Sequence, residues 1–423
     1  MSAPRMVYAD SQGNILDHPE LKIAGSAAGS WEALDERDCI PLPEGSELFL
    51  LPNRLPVGVN AENKFEVLTE DPLKPGDPVS AVAAFMAPAY TANHSACYKT
   101  LPGAENLPLF AYTAVGFSRG QFVVSGLRTD QSPRQDPSRF PPRQRIEAAA
   151  RRLLRTYGKN RLWQQLGICA LNYGCPAALN LVLGRWEAPL PTSPVCNANC
   201  IGCISYQPDG LFPCTQDRIT FTPSAQEVAE VANHHLAKGR DPLVSFGQGC
   251  EGEPLMQADL LTESIHLIRA EHPTATVNLN TNGSRPEVVT RLMRAGLSSI
   301  RVSLNSLIKE RHQAYYRPKG WSLDEAVLSL KEVKRANGHA SINLLTMPGL
   351  TDSPEEADAL FKLVEEVNLD LIQWRNLNID PEVYLKMLDI KPPKERLGIH
   401  ALIEKLKRQF PNLKHGYFNP KLF

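Results

Sequence analysis

Three cysteines fall within eight residues, in the run Cys196-Asn-Ala-Asn-Cys200-Ile-Gly-Cys203. Thiolates at this CxxxCxxC spacing let one tight loop wrap a single inorganic cluster, and three ligands for four irons leave one iron open to a small molecule. Disulfide bridging within so short a span is geometrically awkward. A structural zinc site normally takes four protein ligands, and the nearest further cysteine, Cys214, lies eleven residues on, off the spacing of a zinc knuckle. Structural zinc and plain buried cysteines are the alternatives to a catalytic cluster.

The elements around this loop say where it must sit. After Arg185 apolar strand candidates alternate with helices for nearly 200 residues, the pattern of parallel βα units. The expected strands are 188–195, 242–247, 276–280, 299–304, 341–345 and 369–374. Helix starts are signalled by Thr222 with Pro223 and by the capping boxes Ser322-x-x-Glu325 and Ser353-Pro354-x-Glu356, and Gly338 supplies a stop. Leu323, Val327, Leu330 and Val333 form one apolar stripe, and Leu360, Leu363, Val364 and Val367 another. Six right-handed units close into a partial (β/α)6 barrel whose functional groups gather at the C-terminal ends of the strands. The cysteine loop follows the first strand, at that end.

With the cysteine motif in a βα series, the segment from about Ala188 to Arg375 resembles the radical S-adenosylmethionine (radical SAM) superfamily. The resemblance implies a 4Fe-4S cluster on Cys196, Cys200 and Cys203. It also implies bound S-adenosylmethionine, reductive cleavage to a 5′-deoxyadenosyl radical, and an electron donor such as a flavodoxin or ferredoxin. One position departs from the family: an aromatic residue usually precedes the last cysteine, and here it is Gly202.

Further motifs fit the same resemblance. Gly252 and Glu253, followed by Pro254-Leu255, are similar to the family's Gly-Gly-Glu element, whose carboxylate can accept a hydrogen bond from the methionine ammonium. A structural turn is the alternative there. Asn280-Thr-Asn282-Gly283 is similar to the TNG element, with Asn282 as the candidate contact. Alternation along 299–305 puts Arg301, Ser303 and Asn305 on one inward face, and the resemblance makes Ser303 and Asn305 candidates for the ribose and methionine carboxylate. Thr346 to Asp352 holds a Pro-Gly turn that in the family comes near adenine. The basic, aromatic run Arg311 to Trp321 is a helix entry or a substrate loop. Polar residues from Gln373 to Asp380 leave the sixth strand as candidate substrate or cofactor contacts. No individual catalytic residue is identified.

Six cysteines lie outside the motif. Cys214 and Cys250, near motif loops, are candidates for a hydrogen-atom donor or a second cluster. Cys169 and Cys175 join one only if the fold brings Cys214 to them. No cysteine follows Cys250, which argues against the seven-cysteine auxiliary domain of peptide-modifying relatives.

The chain of 423 residues is 43% hydrophobic, enough for a full core and two or three domains. Forty-five Lys and Arg against 46 Asp and Glu give no field favouring nucleic acid or anionic membrane. No stretch reaches the roughly 18 to 20 uncharged apolar residues of a spanning helix, and the start lacks a signal-peptide pattern, so the expected compartment is cytoplasmic. Short apolar runs such as 47–52 and 121–125, separated by Gly, Pro and Asn, make 1–130 a β-rich N-terminal domain. A Pro-rich linker and helical connector follow over 131–185, then the α/β barrel core over 186–380 and a helical tail without further chemistry over 381–423. A peptide or protein substrate is expected, because the N-terminal domain exceeds a small-molecule lid. The alternatives are small-molecule cofactor or metabolite biosynthesis and a non-catalytic iron–sulfur regulatory protein.

Overall fold

The computed structural model describes residues 3–132, 134, 136 and 139–423. Of the expected Pro-rich linker, Pro133, Gln135, Pro137 and Ser138 lie outside the described residues.

Residues 5–128 form antiparallel strands around one long strand, Ile15–Ala27, which pairs with Arg5–Ala9, Ser30–Ala33, Arg54–Val59 and Ser95–Ala96. Their core is built from small residues such as Val7, Ala9, Val82, Ala84, Val115 and Val124. Three helices follow, Arg143–Tyr157, Arg161–Leu171 and Pro176–Val182, and the last packs on the first barrel strand.

The barrel strands are β1 Arg185–Leu190, β2 Arg240–Phe246, β3 Val277–Thr281, β4 Ser299–Leu304, β5 His339–Thr346, β6 Leu371–Asn376 and β7 Lys414–Gly416. They are hydrogen-bonded in sequence order and all pairs are parallel. Parallel strands covered by helices are apolar toward them, and Val244, Leu279, Ile300, Val302 and Ile342 are fully buried. The helix at 225–238 is capped by Ser224, two residues beyond the expected Thr222, because Ser224 and Glu227 make the reciprocal cap. Ser322 and Glu325 do the same. Ser353 caps the next helix, but Glu356 turns away to bind Ser306 Oγ, the Leu307 N–H and Arg311, so that box is half made. Among the described residues no helix is long and apolar enough to cross a membrane.

The tail expected to be helical holds helices at Pro381–Met387 and Ile399–Gln409, but its end needs correction. Residues 414–416 add a seventh strand beside β6, and the chain then crosses from β6 to β1. Asn419 accepts a hydrogen bond from Gln373 on β6 and donates one to Glu187 on β1, so the tail fills the seam where a partial barrel stays open. A helix could not do this, since bridging two strands from inside needs extended chain. The first strand also ends earlier than expected: residues 191–195 form a loop, because the Thr192 and Ser193 N–H groups serve Glu251 rather than a strand neighbour.

The N-terminal module sits against the ends of these strands. Asp380, fully buried, pairs with Arg54 at 3.1 Å and accepts from Tyr98 Oη and the Leu107 N–H. Asn376 at the end of β6 donates to Tyr90 O and accepts from the Ala92 N–H. Arg396 bridges Glu32 and Asp352 at the edge of this contact. The Pro-Gly turn after β5 is used here too: Pro348 O accepts the Ala28 N–H, so the turn is packed against the module and does not line the barrel cavity.

Candidate functional site

A cavity of about 560 Å³ opens at the C-terminal ends of the strands. Cys196, Cys200 and Cys203 stand in its wall, with Gly252, Glu253, Asn282 and Ser303. Phe85, Met86 and Ala111 from the N-terminal module complete it.

The cysteine loop is held by backbone. Asn199 and Ile201 N–H groups donate to Tyr316 and Tyr315 carbonyls, and Asn197 O accepts from the Lys319 N–H and Trp321 Nε1. The run 311–321 is therefore the clamp of the loop, partly helical over Lys309–Tyr316, rather than a free substrate loop. Burial pushes the Cys196 thiol up to about 11, and burial with the two neighbouring thiols pushes Cys200 well above a free thiol. Arg218 Nη2 donates to Cys203 Sγ at 3.3 Å, while its guanidinium lies over the Tyr206 ring. Among the described residues no three acidic, His or Cys side chains converge on one ion-sized point; the three thiols all line the cavity.

Two glycines explain the motif. A Cβ at Gly252 would stand 2.0 Å from Val195 O, so only glycine lets the β2 loop run against the approach to Cys196. Its N–H donates to Ser193 O, and the next N–H, of Glu253, donates to Val195 O. A Cβ at Gly202 would meet Ile379 at 2.6 Å and Tyr315 Oη at 2.9 Å. The volume beside the last cysteine is thus occupied from elsewhere in the chain, and an aromatic side chain at 202 has no room.

Glu253 is fully buried and accepts from the Leu255 N–H, Thr281 Oγ1 and the Asn282 N–H. Burial pushes it up to about 7 against those donors. Its carboxylate ties the end of β2 to that of β3, so much of its accepting capacity is spent inside the protein. Glu251, missed by motif reasoning, does more: its two oxygens take the N–H groups of Thr192, Ser193, Gly247 and Gln248 and the Thr192 hydroxyl. Burial pushes it to about 7 as well, yet every accepting position meets a donor, which favours the ionised form.

Asn282 Nδ2 donates to Asn197 Oδ1, and its own Oδ1 accepts the Ser284 N–H, joining the TNG turn to the cysteine loop. Ser303 faces the cavity, as does Arg301, matching the alternation along β4. Asn305 does not. The strand ends at Leu304, alternation stops with it, and Asn305 turns into the protein to donate to Tyr384 Oη and Arg311 O. Of the polar residues from Gln373 to Asp380, Arg375, Asn376 and Asn378 reach the cavity, whereas Asp380 belongs to the module interface.

Among the other cysteines, Cys214 is exposed. The fold does not bring it to the connector pair; Cys250 lies there instead, its thiol against that of Cys169, with the Cys175 N–H on Cys169 O. The tail contributes Tyr417 to the wall, which sequence patterning did not indicate because no regular element carries it.

Residues 190–361 match the family model described as the radical SAM superfamily. Molybdenum cofactor biosynthesis protein 1 of Bos taurus is 24% identical over 223 residues, 52% of this chain and 32% of that protein. FeMo cofactor biosynthesis protein NifB of Klebsiella pneumoniae is 27% identical over 181 residues, 39% of this chain and 38% of that protein. The chain thus spans about a third of the length of these curated relatives. Among solved structures, Streptococcus suis SuiB bound to precursor peptide SuiA matches at 16% identity with a TM-score of 0.38, covering 59% of this chain and 52% of that one.

Proposed function

We propose, from the premise that this chain carries a radical SAM domain over residues 190–361, that it is an enzyme that cleaves S-adenosylmethionine reductively and uses the radical for hydrogen abstraction. The observation that carries the reading is the set of three thiols, on one backbone-clamped loop, lining a single cavity at the strand ends. The donor set fits a cluster: three soft ligands lining the cavity, with no fourth closing it. Bound there, a 4Fe-4S cluster would supply the electron that splits S-adenosylmethionine into methionine and a 5′-deoxyadenosyl radical.

The chain's own residues have separable tasks. Cys196, Cys200 and Cys203 would ligate. Arg218 places positive charge beside Cys203, which favours the more negative state of whatever the sulfur binds. Gly252, Glu253 and Asn282 hold the loops after β2 and β3 against the cysteine loop, and Ser303 offers a hydroxyl to a ligand in the cavity. Phe85, Met86 and Ala111 exclude water from the opposite wall, which protects a radical from quenching. An external electron donor of flavodoxin or ferredoxin type is required, since each cleavage consumes one electron that must be resupplied.

The walled cavity favours a small-molecule substrate. A peptide substrate has one observation in its favour: Phe49, Phe85 and Phe110 pack together at the surface, and Phe85 also lines the cavity, so an extended chain could rest there and insert one side chain.

The test is anaerobic. Wild-type protein, reconstituted and reduced, is expected to release 5′-deoxyadenosine from S-adenosylmethionine, and Cys200→Ala is expected to release none. Zinc without iron in the wild type overturns the reading; iron without S-adenosylmethionine binding turns it toward a regulatory cluster protein.

A further inference from the structure

The inner faces of β4 and β6 bring two guanidinium groups, Arg301 and Arg375, to the cavity wall. Among the described residues neither is in an ion pair with a carboxylate. Arg301 Nη1 donates to Gln373 Oε1 at 2.7 Å, and its buried Nε has no hydrogen-bond partner. Arg375 Nε donates to Asn343 Oδ1 and its Nη2 to Tyr417 O, with the Tyr417 ring 3.6 Å away. All these partners are neutral. Glu187, the carboxylate that acts on Arg301, is engaged by Asn419 Nδ2 at 2.7 Å.

Two like charges are thus held close, both reaching Gln373 Oε1, with neutral groups as their only hydrogen-bond partners. Burial and the charge of Arg375 lower Arg301 to about 9, so Arg301 remains cationic at neutral pH. Holding them there costs stability that an anion in the cavity would offset, and the planar fork of arginine matches the paired oxygens of a carboxylate or phosphate. Gln373 is itself fixed, since its Nε2 donates to Asn419 Oδ1. The pair is therefore oriented before any ligand arrives.

We infer that Arg301 and Arg375 form a subsite for an anionic group of the substrate, a carboxylate or a phosphate. Assigning that group to the substrate rests on the proposed enzymatic reading; the anion site itself does not. It selects substrates with a charged handle and excludes neutral or cationic ones from the same pose.

S-adenosylmethionine also carries a carboxylate, so the experiment keeps the two sources apart. Inorganic phosphate and succinate are titrated separately into full-length protein by calorimetry, in the apo form and in the reconstituted form saturated with S-adenosylmethionine. Saturable binding of one anion in both forms is expected, and the stronger probe identifies phosphate or carboxylate. Arg301→Gln and Arg375→Gln are expected to weaken it at least tenfold, and the exposed control Arg161→Gln to leave it unchanged. Arg301→Lys and Arg375→Lys keep the charge and lose the fork, and they decide the matter if the glutamine variants do not fold; a loss of about three- to tenfold is expected of them. No saturable binding to wild type, or equal binding to folded variants, overturns the inference. So does competition between the anion and S-adenosylmethionine with a matching loss of S-adenosylmethionine affinity in the variants. Failure of wild type to load iron would instead remove the enzymatic reading, while the apo titration still decides the anion site.

Discussion

The two parts of the cavity wall are built on opposite rules. On the barrel side the lining includes polar groups already committed within the protein: Glu251 to five donors, Glu253 to three, Asn282 to the cysteine loop. On the side of the N-terminal module the lining is Phe85, Met86 and Ala111, which can exclude water and do nothing else. The barrel thus holds the chemistry and the module the closure. Where they meet, the contact is itself polar and buried, centred on Arg54 and Asp380. A polar interface of this kind fixes one docking geometry, since any slip leaves a buried charge unpaired.

Variants can break this contrast one side at a time. The largest effect is expected from Cys200→Ala, which should remove iron and deoxyadenosine release together while leaving the module's β-sheet circular dichroism and its docking intact. Asp380→Ala strands Arg54 in the interface. A loss of about 3 to 5 kcal/mol is expected, read as a lower urea midpoint and as faster proteolysis between module and barrel. Gly252→Ala drives a Cβ into Val195 O and should cost about 3 kcal/mol, with cluster loading impaired more than module stability. Asn419→Ala leaves Glu187 and Gln373 unsatisfied in the seam, for about 2 kcal/mol and faster quenching of the cleavage reaction by solvent.

The smallest effect separates the interface from the site by pH. His94 and Arg396 hold the Glu32 carboxylate down to about 2. Its stabilising contribution is therefore complete above the ordinary carboxylate pKa and is lost as pH falls through about 2. A decline of about 1 kcal/mol, limited by solvent screening, is expected between roughly pH 4.5 and 2, and Glu32→Gln should abolish it. If that variant keeps the full acid response, the interface is not where the module is held.

How much was legible in the sequence follows the range of each interaction. The βα series, Ser322 and Ser224 caps, the two helix stripes and the placement of the cysteine loop at the strand ends are set by neighbours within a few residues, and the spacing reports them. Alternation on β4 placed Arg301 and Ser303 on the cavity and failed at Asn305, one residue past the strand's end. The clamp made by 311–321 was not legible for another reason: the Tyr315 and Tyr316 carbonyls and the Lys319 N–H do most of the work beside Trp321 Nε1, and sequence carries no mark of backbone bonds.

By itself, then, the sequence determined the CxxxCxxC spacing, the parallel α/β core and the presence of a β-rich module, because thiol spacing and hydrophobic period are local properties. Only the tertiary structure decided that Tyr315 and Ile379 fill the space at Gly202, that Asn419 closes the seam between β1 and β6, that Asp380 serves the module, and that two arginines share one wall with no carboxylate among the described residues paired to either. Those contacts join residues from 46 to 326 positions apart, and which of them form depends on how strands and loops pack, which no local pattern encodes.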